Sequence, residues 1–130
     1  MKYLLDTHVW LWMMLTPERL NDDARTAIGS TANQTFLSVA SAWEAAVKNS
    51  IGKLPLSGPI TDLVLGSIRD FDLGLLPIAL DHALLAAALP QLHKDPFDRV
   101  LIAQARVEDA VLVTGDSCIR QYGGSLLWAI

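Results

Sequence analysis

Short apolar runs alternate along the chain with longer stretches of helical periodicity. Lys2 to Leu5 reads as a buried strand, and Thr7 to Leu15 as an apolar helix directly after it. Pro17 and Asn21 punctuate, Asp22 to Ser30 predicts a second helix, and Thr35 to Leu37 predicts a short strand. From Ser38 or Ser41 to about Ile51, the residues Ala40, Trp43, Val47 and Ile51 recur at helical spacing, and Gly52 stops the helix. Leu54 to Gly58 reads as a loop, and Pro59 opens a helix that reaches about Phe71. Leu75 to Ile78 carries a proline, which confines it to a sheet edge if it pairs. Asp81 to Leu89 is helical and closed by Pro90. Asp95-Pro96 starts the next helix, with Asp95 as N-cap and Pro96 in the first turn, and this helix runs to roughly Glu108. Ala110 to Thr114 is a strand, Gly115-Asp116 turns out of it, and a short helical turn leads to a last strand over Leu126 to Ile130. Strands separated by helices pair mainly in parallel through right-handed crossovers. The predicted class is therefore α/β, a three-layer α/β/α sandwich around a mainly parallel sheet.

Composition sharpens this picture. A length of 130 residues, 52% of them hydrophobic, suits one domain spanning 1–130 and leaves no room for two. A domain of this size buries roughly two-thirds of its unfolded surface, so its core needs no covalent staples. The single cysteine, Cys118, excludes an intrachain disulfide and a cysteine-built zinc site, which fits a reducing compartment. No apolar stretch approaches the ~20 residues of a spanning helix; the longest, Val9 to Leu15 and Ala83 to Leu89, are bounded by polar residues or proline. Met1 to Leu5 resembles the opening of a signal peptide, but Asp6 and His8 interrupt it and no small-residue cleavage site follows. The expectation is a soluble, cytoplasmic protein with no membrane partner. With 10 Lys+Arg against 14 Asp+Glu, the net charge of −4 disfavours holding nucleic acid by bulk electrostatics. It leaves room for a local acidic site that needs a metal before it meets a phosphate.

In such a fold, ligands sit outside the carboxyl ends of the strands, where the strand order reverses. Asp6 follows the first strand and Asp116 follows the strand ending Val113-Thr114. Each also has an ordinary structural reading, Asp6 as a helix cap and Asp116 as a turn residue. Glu44 and Asp98 lie in first turns of helices, where acids complement the helix dipole. Ser41-x-x-Glu44 fits a capping box, and Asp95 with Asp98 resembles one. Clustered at one sheet edge, four such acids would repel one another by several kcal/mol unless a cation is present or some protons stay on. Oxygen-only ligands suit the hard cations Mg²⁺ or Mn²⁺. Such an ion polarises a phosphate oxygen and activates water near neutral pH, and two ions ~3.5–4 Å apart stabilise both attacking and leaving oxygens. The chemistry indicated is phosphodiester hydrolysis.

The segments Leu4-Leu5-Asp6-Thr7-His8-Val9-Trp10-Leu11-Trp12, Ser38-Val39-Ala40-Ser41-Ala42-Trp43-Glu44, Asp95-Pro96-Phe97-Asp98-Arg99 and Val113-Thr114-Gly115-Asp116 resemble the PIN-domain ribonucleases. More narrowly, they resemble the VapC-type toxins of bacterial toxin–antitoxin pairs, and the resemblance runs nearly end to end. It implies that Asp6, Glu44, Asp98 and Asp116 form an acidic quartet. In it, Asp6 and Asp98 are direct metal ligands, while Glu44 and Asp116 complete the shell through water or at a second ion. Thr114 orients a water or a carboxylate, and Asp95 remains a helix cap. The resemblance further implies a Mg²⁺-dependent endoribonuclease, with Mn²⁺ able to substitute, that leaves 3′-hydroxyl and 5′-phosphate ends and stops translation. Its partners are then RNA, a cognate antitoxin and a second copy in a homodimer.

Other residues point less clearly to chemistry. His8, His82 and His93 are scattered, and His8 reads as a packing or hydrogen-bonding neighbour rather than a ligand. No orienting base accompanies Cys118, and neither GxxxxGK[ST] nor GxGxxG occurs. Trp10, Trp12, Met13, Met14 and Leu15 make the first helix apolar all round, which fits either core or a protein interface. Arg25, Lys48, Lys53, Lys94, Arg99 and Arg106 read by default as a solvated face, with Arg99 close enough to Asp98 to reach a substrate phosphate. Three other readings compete. A receiver-like phosphoacceptor domain needs an acidic pair after the first strand and a late lysine, whereas Asp6 stands alone and Ser117-Cys118 follow the last acid. A haloacid-dehalogenase-like phosphatase lacks its second acid in Asp6-Thr7-His8. A silent binding module, with all four acids as caps, is the third alternative.

Overall fold

A computed structural model of the protein describes residues 1–130. It contains five strands, β1 (Lys2–Leu5), β2 (Gln34–Ser38), β3 (Gly74–Leu76), β4 (Val111–Thr114) and β5 (Leu126–Trp128). Seven α-helices connect them: α1 (Thr7–Leu15), α2 (Asp22–Gly29), α3 (Val39–Ser50), α4 (Ile60–Phe71), α5 (Leu80–Ala88), α6 (Pro96–Val107) and α7 (Ser117–Arg120). The strands form one sheet in the order β3-β2-β1-β4-β5, and every pairing is parallel. From β1 the chain builds outward through β2 to β3, then returns to lay β4 and β5 on the other side. The order therefore reverses between β1 and β4, and a crevice opens at their carboxyl ends.

Successive strand residues face opposite sides of the sheet, which sorts the core into two layers. Leu5, Leu37 and Val113 pack with Val9, Trp10, Leu11 and Met13 of α1, Ala24 and Ile28 of α2 and Ala45 of α3. Leu4 and Leu112 point the other way, against Leu101, Ile102 and Ala105 of α6 and Ile119 of α7. Each fully buried Leu or Val stabilises the fold by about 1.5–3 kcal/mol before the cost of ordering the chain. The three-layer α/β/α prediction describes this arrangement, and the sheet is wholly parallel.

Local chemistry sets the element ends. Asn21 caps α2 by accepting from the Ala24 amide, and Gly52, at φ +77°, takes the left-handed backbone that ends α3. The third strand lies at residues 74–76 rather than 75–78, because Pro77 has no N–H to give a ladder. Gly74 is required there: a Cβ would lie 2.6 Å from the Phe36 ring on the neighbouring strand. The last strand stops at Trp128, two residues earlier than predicted.

Two expectations about helix faces change. Helix α1 is mostly core: Val9, Trp10, Leu11 and Met13 are buried, Trp12 and Met14 half-buried, and only Leu15 of this run is exposed. Trp10 Nε1 donates to Ser67 Oγ of α4 at 3.0 Å, which satisfies its one polar atom. In contrast, Trp43, Val47 and Ile51 of the α3 segment, four residues apart and so on one face, are exposed. Trp43 rests edge-on against Phe97 with ring centroids 5.0 Å apart.

Candidate functional site

Each of the four singled-out acids reaches the carboxyl edge of the sheet by a different local device. Asp6, immediately after β1, caps α1: its Oδ1 accepts from the His8 amide at 3.2 Å, and its Oδ2 accepts from Thr114 Oγ1 at 2.7 Å. Asp116, two residues beyond β4, caps α7 by accepting from the Cys118 amide at 2.7 Å. Thr114 joins the two, since its hydroxyl oxygen also accepts from the Asp116 amide. Asp98 lies in the first turn of α6 but is no cap; Asp95 fills that role, accepting from the Phe97 and Asp98 amides. The expected capping box at Ser41 and Glu44 does not form. Ser38 caps α3, and Ser41 lies inside the helix with its hydroxyl accepting from Thr7 Oγ1 of α1 at 2.8 Å. Glu44 is thereby released from any capping duty. It is buried, with one oxygen paired to Lys48 a helical turn on.

The electrostatics show how close these groups are. Asp98 is pushed up to about 7 by its burial first, then by the negative charges of Asp6, Asp95 and Glu44, against the opposing hydrogen bond with His93. Asp6 is also raised, chiefly by burial and further by the Asp116 charge, against the Thr114 hydrogen bond and the nearby His8. Two buried oxygens, Glu44 Oε1 and Asp98 Oδ1, have no hydrogen-bond partner. Leaving a charged acceptor buried and unpaired costs more than the ~1–3 kcal/mol of a neutral group. Such a donor set, hard and anionic, suits a divalent cation.

His93 belongs to this edge as well. Its Nε2 lies 2.7 Å from Asp98 Oδ2 and 3.9 Å from Asp116 Oδ2. One ligand atom from each of His93, Asp98 and Asp116 falls within 4.8 Å of the others, a grouping able to hold a metal ion. Beside it an open cleft of about 300 Å³ is lined by Asp6, His8, Trp12, Gly115, Asp116 and Ser117. A separate hollow of about 240 Å³ opens toward the amino ends of β4 and β5, where Asp109 is the only acidic wall residue.

Residues 3–124 match the PIN domain family. The chain belongs to the PIN-domain family. No curated protein matches it. Among solved structures, this PIN domain is similar to VapBC2 from Rickettsia felis, whose structure is bound to a DNA fragment from their promoter, at 16% identity and a TM-score of 0.73 over 100% of both chains. It is also similar to a toxin–antitoxin complex from Klebsiella pneumoniae (17% identity, TM-score 0.65, 96% of this chain and 95% of that one). FitAcB from Neisseria gonorrhoeae matches at 18% identity and a TM-score of 0.64, over 96% of each chain. At these identities the likeness is one of fold.

The basic residues of this PIN domain are less free than the sequence suggests. Arg99 is buried and taken up by internal acceptors: its guanidinium donates to the carbonyls of Ala86, Leu89, Pro90 and His93 and to Tyr122 Oη. Lys48 is no solvated bystander either. Burial works against its ammonium, but Glu44, Asp95 and Asp98 more than offset this and hold it above the usual lysine value. Arg106 donates to the Tyr122 carbonyl. Of the three histidines, His93 was the one that sequence reasoning missed. The signal for it was its place in the loop just before the Asp95 cap, five residues from Asp98.

Proposed function

We propose that this PIN domain, spanning residues 1–130, is a Mg²⁺-dependent endoribonuclease, the toxin of a toxin–antitoxin pair, which hydrolyses RNA phosphodiester bonds and so inhibits translation. The observation that carries this reading is a buried acidic cluster at the sheet's switch point in which two carboxylate oxygens are left without partners. Asp98 Oδ1 and Glu44 Oε1 lack partners there, while Asp98 is held at about 7 by burial and by three like charges. Asp6, Glu44, Asp98 and Asp116 are the residues assigned to hold the cation, Mg²⁺ or in its place Mn²⁺. Bound there, the ion supplies Lewis acidity toward a phosphate oxygen and lowers the pKa of a water.

The chain's own groups do the rest. Thr114 fixes the orientation of the Asp6 carboxylate from one side, and the His8 amide fixes it from the other. Lys48 neutralises one oxygen of Glu44 and leaves the second free. The adjacent cleft, open to solvent, gives a flexible single strand room to reach Asp6 and Asp116. The exposed Trp43, Val47 and Ile51 stripe supports protein partners, a cognate antitoxin and a second copy in a homodimer. So do the toxin–antitoxin assemblies among the structural neighbours. No helix is long and apolar enough to cross a membrane, and a cytoplasmic site of action fits an RNA substrate.

Asp6→Asn and Asp98→Asn each keep side-chain shape and remove the charge that attracts a cation. Both are expected to abolish RNA cleavage in Mg²⁺ while retaining the wild-type circular dichroism spectrum. Cleavage at the wild-type rate by both purified variants would refute the proposal.

A further inference from the structure

The segment between α5 and α6 is short and irregular, yet buried side chains tie its main chain at Pro90 and His93. Tyr122 Oη accepts from the His93 amide at 2.9 Å and donates to the Pro90 carbonyl at 2.7 Å. Arg99 Nη1 donates to the same Tyr122 oxygen and to the carbonyls of Pro90 and His93. A buried guanidinium and a buried phenol are thus committed to fixing the main chain on both sides of one imidazole. That imidazole is four-fifths buried and turns inward, toward Asp98 and Asp116, rather than to solvent.

We propose that His93 Nε2 is a metal ligand, joining one oxygen each of Asp98 and Asp116 in a mixed nitrogen–oxygen centre. This rests on the metal-dependent reading above and extends it by one residue that the acidic quartet does not contain. Around a single ion with bonds of about 2.1 Å, neighbouring donors stand about 3.0 Å apart and opposite donors about 4.2 Å apart. The His93 nitrogen stands 2.7 Å from its first partner and 3.9 Å from its second, close to both spacings. A simple His–Asp pair would account for the contact with Asp98 Oδ2. It would not account for the second Asp98 oxygen left buried without a partner.

The donor set has a consequence for metal choice. Imidazole nitrogen raises affinity for first-row transition ions such as Mn²⁺ and Co²⁺ more than for Mg²⁺, which prefers oxygen and retains its waters. The centre therefore discriminates between Mn²⁺ and Mg²⁺ more than four carboxylates alone would.

The test is electron spin-echo spectroscopy of the Mn²⁺-loaded full chain, with Mn²⁺ and Mg²⁺ affinities measured by titration calorimetry. Wild-type protein should show ¹⁴N coupling from a directly bound imidazole. His93→Gln, which retains a hydrogen-bonding group toward Asp98, should lose it and bind Mn²⁺ at least about tenfold more weakly, the scale set by removing even an outer-shell partner. Its Mg²⁺ affinity should fall less. His8→Ala controls for the other imidazole near Asp6 and should keep the coupling. A saturable Mn²⁺ site without ¹⁴N coupling, or coupling that survives His93→Gln, would overturn the ligand assignment and leave the nuclease reading standing. Absence of any saturable Mn²⁺ site would overturn both.

Discussion

Asp98 illustrates how one side chain carries both the tension and the use of this edge. Its carboxyl titrates at about 7 in the folded chain against an ordinary value of 3.8. Between those pH values the folded state binds a proton that the unfolded state has released, so stability falls as pH rises. The metal-free protein should therefore be penalised by this group above neutrality and not below pH 4. Asp98→Asn removes the penalty. In chelator, the melting temperature of the variant relative to wild type should rise as pH increases from 5 to 8, measured by differential scanning calorimetry. An offset that does not change over that range would contradict the cause assigned to the shift. Asp6 and Asp116 differ in kind, because both cap helices while lying at the cluster; the cap reading of Asp6 holds, and Asp116, read from the sequence as a turn residue, is a cap as well. For Glu44 the capping reading failed, since Ser38 had already taken the helix start. Only the tertiary fold decides between two serines three residues apart.

Among elements, α5 and α6 depend on Arg99. Its side chain gathers carbonyls at the α5 carboxyl end and in the following loop, groups that have no helical partner of their own. Arg99→Met fills the space but takes from the buried Ala86 and Leu89 carbonyls the donor they share. The expected loss is about 3 kcal/mol or more, roughly 10 °C in Tm for a domain of this size. Arg99→Lys should recover little, since an ammonium cannot span the same acceptors as a planar fork. Thermal melts check this, and a Tm within a few degrees of wild type for Arg99→Met would contradict it. The sequence located α6 within a residue because Asp95 and Pro96 announce its start, and β1, β2 and β4 because apolar runs ended at turn residues or caps. It could not locate the Arg99 guanidinium or the His93 ring. An arginine after an acid reads the same whether it faces water or five main-chain carbonyls, and a loop histidine has no periodicity to betray its direction.

At the scale of the molecule, the two sheet faces are covered, and the conspicuous uncovered apolar surface on α3 is the stripe through Trp43, Val47 and Ile51. Changing exposed residues there should alter folding stability by no more than about 0.5 kcal/mol. A Val47→Glu, Ile51→Glu double variant should therefore keep its melting temperature but lose self-association or antitoxin binding, read by light scattering after gel filtration. Unchanged mass and unchanged complex formation would remove the stripe from any interface. The parallel topology has one more consequence. The Thr114 hydroxyl that steadies Asp6 lies 108 positions further along the polypeptide, and β1 stays unpaired on that side until β4 emerges. During synthesis, a nascent chain tethered to its ribosome thus carries an unfinished edge until β4 is made. Whatever the cluster does is therefore withheld until the strand that carries Thr114 has left the ribosome and paired with β1.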